Sequence, residues 1–460
     1  MEQIVSQKEA LARTKGRVTF VKNPIKPFGI LFNHGFPLDL SIIKMCFQGC
    51  PFCFAVNNRK AANNMIGELK DPTDQYIKLL QKANGQGYNP LNFIEYCIHN
   101  KFPIIFSNNV DPFLPASEER YKLGERVLRV SLEYGQKLFI QTKEVYHGEA
   151  VKKLIIEGKD LFQMYVSIST LDYEMAKKYE TVSISPADRL RKIEELSNEG
   201  VQVTAALNPY VPEWQPNLRT YFQTIKDAGC TGVFTYPLHL TPKQQKVTPK
   251  SFEPFTKRTW RFDEFAESCK IMEILAKELE LGLYYPNRKI FDGYYKGCTA
   301  FNADSFWPID GHWLREKICE AWDEEKNPIM ITWDMCDKFY SQFPAWKHVL
   351  NISSIESVIA YDTEVHRQVK HSLGDKNSIK NIVRLIWNNP FTFETFINVA
   401  NDVYLLAEDD FDDKDEAIPC YDDNNNLIYV YDPSYNYDAI YWLQNNKLAS
   451  ENELTEIEFD

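Results

Sequence analysis

Cys46-Phe47-Gln48-Gly49-Cys50-Pro51-Phe52-Cys53 brings three thiols into eight residues, with three residues between the first pair and two between the second. A loop this short can turn all three sulfurs toward one point. Cysteine thiolates are the usual ligands of iron–sulfur clusters. Three of them bind three irons of a [4Fe–4S] cluster, and the fourth iron stays open to a ligand from outside the protein. Cys46, Cys50 and Cys53 are therefore the candidate metal ligands. A structural zinc site asks for four protein ligands, and the nearest downstream candidates, Cys97 and His99, are not at finger spacing. The remaining alternative is three unrelated buried thiols, and free cysteines do not usually cluster this tightly.

The 460 residues are 44% hydrophobic, enough apolar content for a large core and for two or three domains. The start, Met1-Glu2-Gln3-Ile4, has no charged-then-apolar signal, and no apolar run of 18 residues marks a membrane span. A soluble, cytoplasmic protein with no membrane partner is expected. Ten cysteines in a chain of this length do not read as a disulfide framework, and a reducing compartment suits a thiolate-bound cluster. A formal net charge of −12 speaks against broad coating of duplex DNA, which needs many phosphate contacts. It leaves room for a local basic groove.

Residues 1–40 read as an N-terminal segment of short extended pieces, broken at Pro24, Pro27 and Pro37, with His34 a structural histidine rather than a ligand. Ser41 to Met45 reads as a short buried strand that ends at the cysteine loop. Residues 57–84 have helical periodicity, and Pro72 starts a second helical segment there. Strands are then expected over 103–107, 137–142, 163–170, 201–207 and 232–236. Helices are expected over 117–134 with Ser117 as N-cap, 148–157, 185–199, 217–228 and 263–280. Strands alternating with helices mean βαβ units and a parallel sheet, here with six βα units. In α/β barrels the active residues lie at the C-terminal strand ends. Those ends carry the three cysteines, then Ser107, Asn108, Asn109 and Asp111, then Lys143, then Ser167, Ser169 and Thr170, then Asn208, and last Tyr236 and His239.

The cysteine spacing, with Phe52 before the last thiol, resembles the signature of the radical S-adenosylmethionine (radical SAM) enzymes. Five further pieces resemble the spore photoproduct lyase and "DNA repair photolyase"-like branch of that family. They are Gly49-Cys50-Pro51-Phe52-Cys53-Phe54-Ala55, Ser107-Asn108-Asn109-Val110-Asp111-Pro112, Gln141-Thr142-Lys143, Ser167-Ile168-Ser169-Thr170-Leu171-Asp172 and Ser185-Pro186-Ala187-Asp188-Arg189-Leu190. The likeness covers roughly residues 20–240. It implies a partial (β/α)6 barrel over residues 41–285 and a mixed C-terminal extension over 286–460 that serves substrate recognition. It also implies a [4Fe–4S] cluster, S-adenosylmethionine held by Ser107, Lys143 and Ser167, and an electron donor such as flavodoxin or ferredoxin. The chemistry implied is reductive cleavage of S-adenosylmethionine to a 5′-deoxyadenosyl radical that abstracts hydrogen from a substrate. The lyases resemble one another in a hydrogen-donor cysteine where this chain has Ile105, and in tyrosines where it has Phe52 and Phe54. A radical SAM enzyme that is not a true photoproduct lyase is therefore expected.

Beyond the sixth strand, Lys243, Lys246, Lys250, Lys257, Arg258 and Arg261 interleave with Phe252, Phe255 and Trp260. Basic residues with stacking aromatics suit single-stranded or flipped nucleotides; a charged loop with aromatics tucked into the core is the competing reading. The expected substrate is a nucleic-acid base or nucleotide-linked group. A peptide or small metabolite, and a non-enzymatic iron–sulfur protein, are the alternatives. Cys298, Cys319 and Cys336 are spaced too widely for a motif, and inert thiols are favoured over an auxiliary cluster. Asp310-Gly311-His312-Trp313 reads as a turn, and residues 351–400 as helical. Asp402 to Asp423, with ten acids and one lysine, reads as a solvated run, and Leu427 to Leu443 as a tail packed on the body. No residue that completes the reaction can be named from the sequence.

Overall fold

The computed structural model describes residues 23–27, 36–43, 72–107, 110–180, 184–238, 262–284, 311–351, 376–389, 403–411 and 417–433, with positions 21, 46, 48, 50, 52, 53, 309 and 393. His34, Phe54, Asn108, Asn109, His239, residues 243–261, Cys298 and Asp310 lie outside the described residues.

An eight-stranded sheet runs in chain order through β1 (Ile25–Pro27), β2 (Leu38–Leu40), β3 (Ile104–Phe106), β4 (Leu138–Thr142), β5 (Phe162–Ser167), β6 (Val203–Tyr210), β7 (Gly232–Pro237) and β8 (Gly282–Tyr284). β1 is antiparallel to β2, and every later neighbour pair is parallel. Parallel neighbours need a crossover between them. Helices α1 (Thr73–Ala83) and α2 (Phe93–His99) follow β2. α3 (Pro115–Tyr121) and α4 (Leu123–Glu133) follow β3, and α5 (Glu149–Glu157) follows β4. α6 (Tyr173–Tyr179) and α7 (Pro186–Asn198) follow β5, α8 (Leu218–Asp227) follows β6, and α9 (Phe262–Glu278) follows β7. The result is an α/β fold with six βα units and a seventh parallel strand. Among the described residues β8 makes no pairing back to β1, so the sheet stays open as a partial barrel.

Two apolar clusters divide the strands by parity. Ile104, Phe106, Leu138, Ile140, Met164, Val166, Val203 and Ala205 pack outward, with the helices, into the main core. Ile105, Phe139, Tyr165, Ala206 and Phe234 face inward with Phe36. Within that inner set Phe139 stacks on Phe36 at 5.0 Å and leans on Tyr165 at 5.6 Å. Successive strand residues point to opposite faces. Ser107, Gln141, Ser167, Asn208 and Tyr236 therefore share the inner face, one step nearer the C-terminal ends.

Several local expectations shift. The first parallel strand is Leu38–Leu40, not 41–45; Ser41 instead turns its hydroxyl onto the buried Asp39 carboxylate at 3.2 Å. The helix expected over 117–134 breaks at Lys122, which has φ +50°, and Ser117 is not its cap. The Glu118 carboxylate caps α4 instead, accepting from the Gly124 and Glu125 amides at 2.6 and 3.1 Å. A Cβ on Gly124 would meet the Phe113 ring at 2.7 Å, so this close approach needs glycine. Ser185 and Asn217 do cap α7 and α8, accepting from Asp188 and Thr220 amides.

The second half is mixed, as expected. It holds α10 (Gly311–Glu325), β9 (Ile329–Ile331), α11 (Trp333–Ser341), β10 (Val349–Asn351), β11 (Lys376–Ser378), α12 (Ile379–Trp387), β12 (Val403–Leu405), β13 (Ala407–Phe411), β14 (Ala417–Pro419) and β15 (Tyr429–Tyr431). Gly311 to Trp313 opens a helix, not a turn. The acidic run is not wholly solvated: its leading apolar residues, Val403 to Leu405, form a buried strand antiparallel to β15. β15 also pairs with β9, so the described part of the tail does pack back onto the body. Trp387 anchors this region, donating to the Leu427 carbonyl at 2.8 Å while Tyr429 donates to the Trp387 carbonyl at 2.5 Å.

Trp387→Ala is expected to cost about 3–5 kcal/mol through the cavity it leaves. Trp387→Phe keeps the ring but strands a buried carbonyl, for about 1–3 kcal/mol. Urea midpoints of the two variants check the order.

Candidate active site

The cysteine loop leaves the C-terminal end of β2, where the sequence places it. Cys50 is buried, Cys46 and Cys53 are partly exposed, and the Cys53 amide donates to the Cys50 carbonyl at 3.2 Å. The backbone amides of Gln48 and Asp111 point at the Cys46 thiol. Crowding by protein, and the charge that Cys53 and Cys50 would carry, still push its pKa up to about 12. Among the described residues no three His, Cys, Asp or Glu side chains close in on a single metal ion.

Lys143 follows β4, and its ammonium lies 3.5 Å from the Cys50 sulfur, 4.9 Å over the Phe52 ring and 2.9 Å from Glu180 Oε1. Arg189 of α7 holds the other Glu180 oxygen at 2.5 Å and donates to the Ser167 and Ile184 carbonyls at 2.8 and 3.0 Å. Glu180 and Arg189 are buried, and Lys143 is partly buried. Burial would drive the Glu180 pKa up, but Arg189 and Lys143 outweigh it and hold the carboxyl down at about 2. Burial likewise works against the Lys143 charge, and Cys50 and Glu180 outweigh it, so its pKa is raised.

A second buried network starts from the cysteine loop itself. Gln48 Nε2 donates to Asp111 Oδ2 and to Glu144 Oε1, both at 3.3 Å. Thr142 Oγ1 lies 3.1 Å from both Asp111 oxygens. Burial, reinforced by Asp111 and offset by Lys192, pushes the Glu144 pKa up to about 7. Val145, beside it, is held at φ +63°, where a β-branched residue is strained. The Lys192 ammonium pins that turn, donating to the Glu144 and Tyr146 carbonyls at 3.0 and 2.7 Å.

Of the residues expected to hold a cofactor, Ser107 lies at the end of β3, buried, with φ +70°, and its amide donates to the Leu40 carbonyl at 2.8 Å. Ser167 ends β5 on the inner face, half-buried, level with Ala206. Asn208 and Tyr236 also stand on the inner rim, and Asn208 Nδ2 reaches the Tyr165 hydroxyl at 3.4 Å. Ser169 and Thr170 do not join them. Their hydroxyls brace the 208–214 loop, on the Asn208 and Trp214 carbonyls at 3.0 and 2.5 Å. The sequence reading missed Gln48, Gln141, Glu144, Glu180 and Arg189. Strand parity was the signal for Gln141. The other four are single polar residues in loops or a helix, and only the fold pairs them. In the second half, Cys319 shares a hydrogen bond with the Tyr431 hydroxyl at 3.3 Å, and Cys336 is sealed in the core with its pKa raised by burial.

No family model matches the chain. Among curated proteins it is similar to an uncharacterized protein, ORF301, of Acidianus two-tailed virus, at 25% identity over 238 residues, which is 48% of this chain and 73% of that one. Among solved structures it is similar to a spore photoproduct lyase complexed with dinucleoside spore photoproduct, at 13% identity and TM-score 0.42, over 54% of this chain and 76% of that one. Streptococcus suis SuiB bound to S-adenosylmethionine gives 12% identity and TM-score 0.38, over 61% of this chain and 54% of that one. The chain thus spans about half the length of SuiB. Methylornithine synthase gives 12% identity and TM-score 0.32, over 61% of this chain and 76% of that one.

The two networks set opposite pH dependences. Glu180, depressed to about 2, adds stability that is complete above its ordinary value of 4.5 and lost as pH falls toward 2. Glu144, raised to about 7, lowers stability as pH rises from 4.5 to 7, because the folded state must then give up a proton it holds. Glu180→Gln should cost about 3–5 kcal/mol at neutral pH by leaving Lys143 and Arg189 uncompensated. Glu144→Gln should flatten the thermal midpoint across the rise from 4.5 to 7. Thermal melts of both variants from pH 4.5 to 7, carried down toward pH 2 for Glu180→Gln, test the assignment.

Proposed function

We propose that this chain is a radical SAM enzyme. The observation that carries the reading is the cysteine loop at the C-terminal end of the first parallel strand of an open α/β barrel, with the Lys143 ammonium against one of its sulfurs. The donor set fits a cluster. Cys46, Cys50 and Cys53 lie on one loop, close enough for the charges of Cys53 and Cys50 to act on Cys46, and thiolates are the usual ligands of such a cluster's irons. A [4Fe–4S] cluster held there, together with S-adenosylmethionine, would supply reductive cleavage to a 5′-deoxyadenosyl radical.

The chain's own residues bind and orient. Cys46, Cys50 and Cys53 hold the cluster. Ser107 and Ser167, on the inner face, hold hydroxyl and carboxylate groups of S-adenosylmethionine together with Lys143, which offers an N–H beyond those given to Glu180 and Cys50. The inner aromatic layer of Phe36, Phe139, Tyr165 and Phe234 closes the barrel below them, and so excludes water from that side. The electron comes from a reduced carrier of the flavodoxin or ferredoxin kind, in a reducing cytoplasm.

The substrate is a nucleic-acid base or a nucleotide-linked group. The basic and aromatic residues of 243–261 support it, as does the likeness to the photoproduct-lyase branch. The enzyme is not a true photoproduct lyase. Ile105, in the hydrogen-donor position, is fully buried in the inner layer and has no weak S–H bond from which a hydrogen could be given. Phe52 has no phenol and is packed 5.4 Å from Trp214.

Anaerobic reconstitution followed by S-adenosylmethionine and dithionite should give 5′-deoxyadenosine from the parent and none from Cys50→Ala. No product from a parent that holds its cluster would favour a SAM-independent iron–sulfur protein. Single-stranded oligonucleotides should bind the parent, and Lys257→Ala/Arg258→Ala should weaken that binding at least several-fold. Unchanged binding would turn the substrate search toward peptides and small metabolites.

A further inference from the structure

Asp111 sits where three strand ends meet, and it is 6% exposed. Its Oδ1 accepts from the Phe113 amide at 3.0 Å. Its Oδ2 accepts from the Lys143 amide at 2.5 Å, the Glu144 amide at 3.2 Å and Gln48 Nε2 at 3.3 Å. The Thr142 hydroxyl lies within reach of both oxygens. The side chain thus ties the cysteine loop, through Gln48, to the turn after β3 and to the end of β4. Its backbone amide points at the Cys46 thiol.

The carboxylate is saturated by donors from the protein itself. It keeps no lone pair for a substrate or cofactor, so its role is not catalytic. We infer that Asp111 is the positioning residue of the cysteine loop, and that its hydrogen bonds set how the Cys46 and Cys50 sulfurs are presented to a cluster. The inference rests on the cluster reading above. Two routes lead from it to the sulfurs. One is the Asp111 amide itself, beside that of Gln48, at Cys46. The other is the Lys143 backbone, pinned by Oδ2, from which the side chain reaches to 3.5 Å from Cys50. Hydrogen bonds to ligand sulfurs favour the reduced cluster, which carries the extra negative charge, and outer partners of this kind govern retention of the metal as well.

Asparagine is the decisive replacement, because it keeps the shape and reverses one end. With its amide nitrogen in the Oδ2 position it faces three N–H donors. Flipped, it faces the Phe113 amide. Neither orientation satisfies the site. Gln48→Met is the milder variant: it fills similar space, removes the donors to Asp111 and Glu144, and leaves the carboxylate's other partners in place.

The experiment compares parent, Asp111→Asn and Gln48→Met after cluster reconstitution. It measures iron lost to a chelator over time, the cluster's midpoint potential, and the thermal midpoint as a control for folding. Iron loss is expected to be roughly ten-fold faster in Asp111→Asn, the low end for loss of an outer-shell partner. Its potential should move to a more negative value, and Gln48→Met should follow in the same direction by less, at the parental thermal midpoint. Parental iron retention and potential in both variants would overturn the inference. If Asp111→Asn fails to fold, Gln48→Met decides alone by the same two readouts. A parent that binds no cluster at all would overturn the cluster reading and this inference with it, and is distinguished by the parent's own iron content.

Discussion

The two-residue repeat of the strands is the constraint on which the rest of this structure depends. A strand must send alternate side chains to opposite faces. In a parallel sheet backed by helices the outer set must be apolar, and from β3 to β6 it is almost wholly aliphatic or aromatic. The inner set is then free to change character along each strand. Low in the barrel it is aromatic, with Phe139, Tyr165 and Phe234 filling the interior around Phe36. One step further on it becomes Ser107, Gln141, Ser167, Asn208 and Tyr236. A one-residue slip in any strand would bury that strand's polar tip among helices and turn apolar bulk into the site. Register is therefore enforced by the same residues that make the site polar.

Charge is handled in two ways at the same rim, and the contrast follows from what surrounds each carboxylate. Glu180 meets two cations, and their attraction outweighs the penalty of burial. Glu144 meets another carboxylate across Gln48, and burial with that like charge outweighs the pull of Lys192 and Arg189. The first arrangement gives a fixed ionic support under Lys143. The second gives a group that holds its proton near neutral pH, kept from repelling Asp111 by the amide between them. Both sit within one side chain of the cysteine loop, so the loop rests on a neutralised floor and not on bare charge.

Much of this was legible in the sequence, because period and punctuation are local. The alternation of Val/Ile-rich runs with capped helices gave the parallel sheet and the six units, and Ser185 and Asn217 marked two helix starts correctly. The cysteine loop was placed at a strand end for the same reason. The first parallel strand was misplaced because Asp39, a buried acid, interrupts the apolar run on which strand detection relies. The helix after β3 reads as one in the sequence because nothing local announces that Lys122 turns left-handed, at φ +50°. Ser169 and Thr170 end the strand expected over 163–170, whereas β5 stops at Ser167 and their hydroxyls answer backbone carbonyls 39 and 44 residues away. The polar networks are the least legible part, since Gln48 meets Glu144 across 96 positions and Lys143 meets Glu180 across 37.

The mixed second half takes part in the same inner surface. Trp313, on the first turn of α10, packs with Tyr236 against the inner aromatic cluster. Tyr236 belongs to β7, so a residue from beyond the barrel and one from its late strands bear on the same layer. The cysteine loop, which follows β2, also reaches the late strands: Phe52 packs with Val211, Trp214 and Leu238. An open sheet leaves its two edges unjoined, and a barrel with an unjoined edge needs something else to fill the gap. Here a helix from the C-terminal region supplies an aromatic side chain for part of that filling.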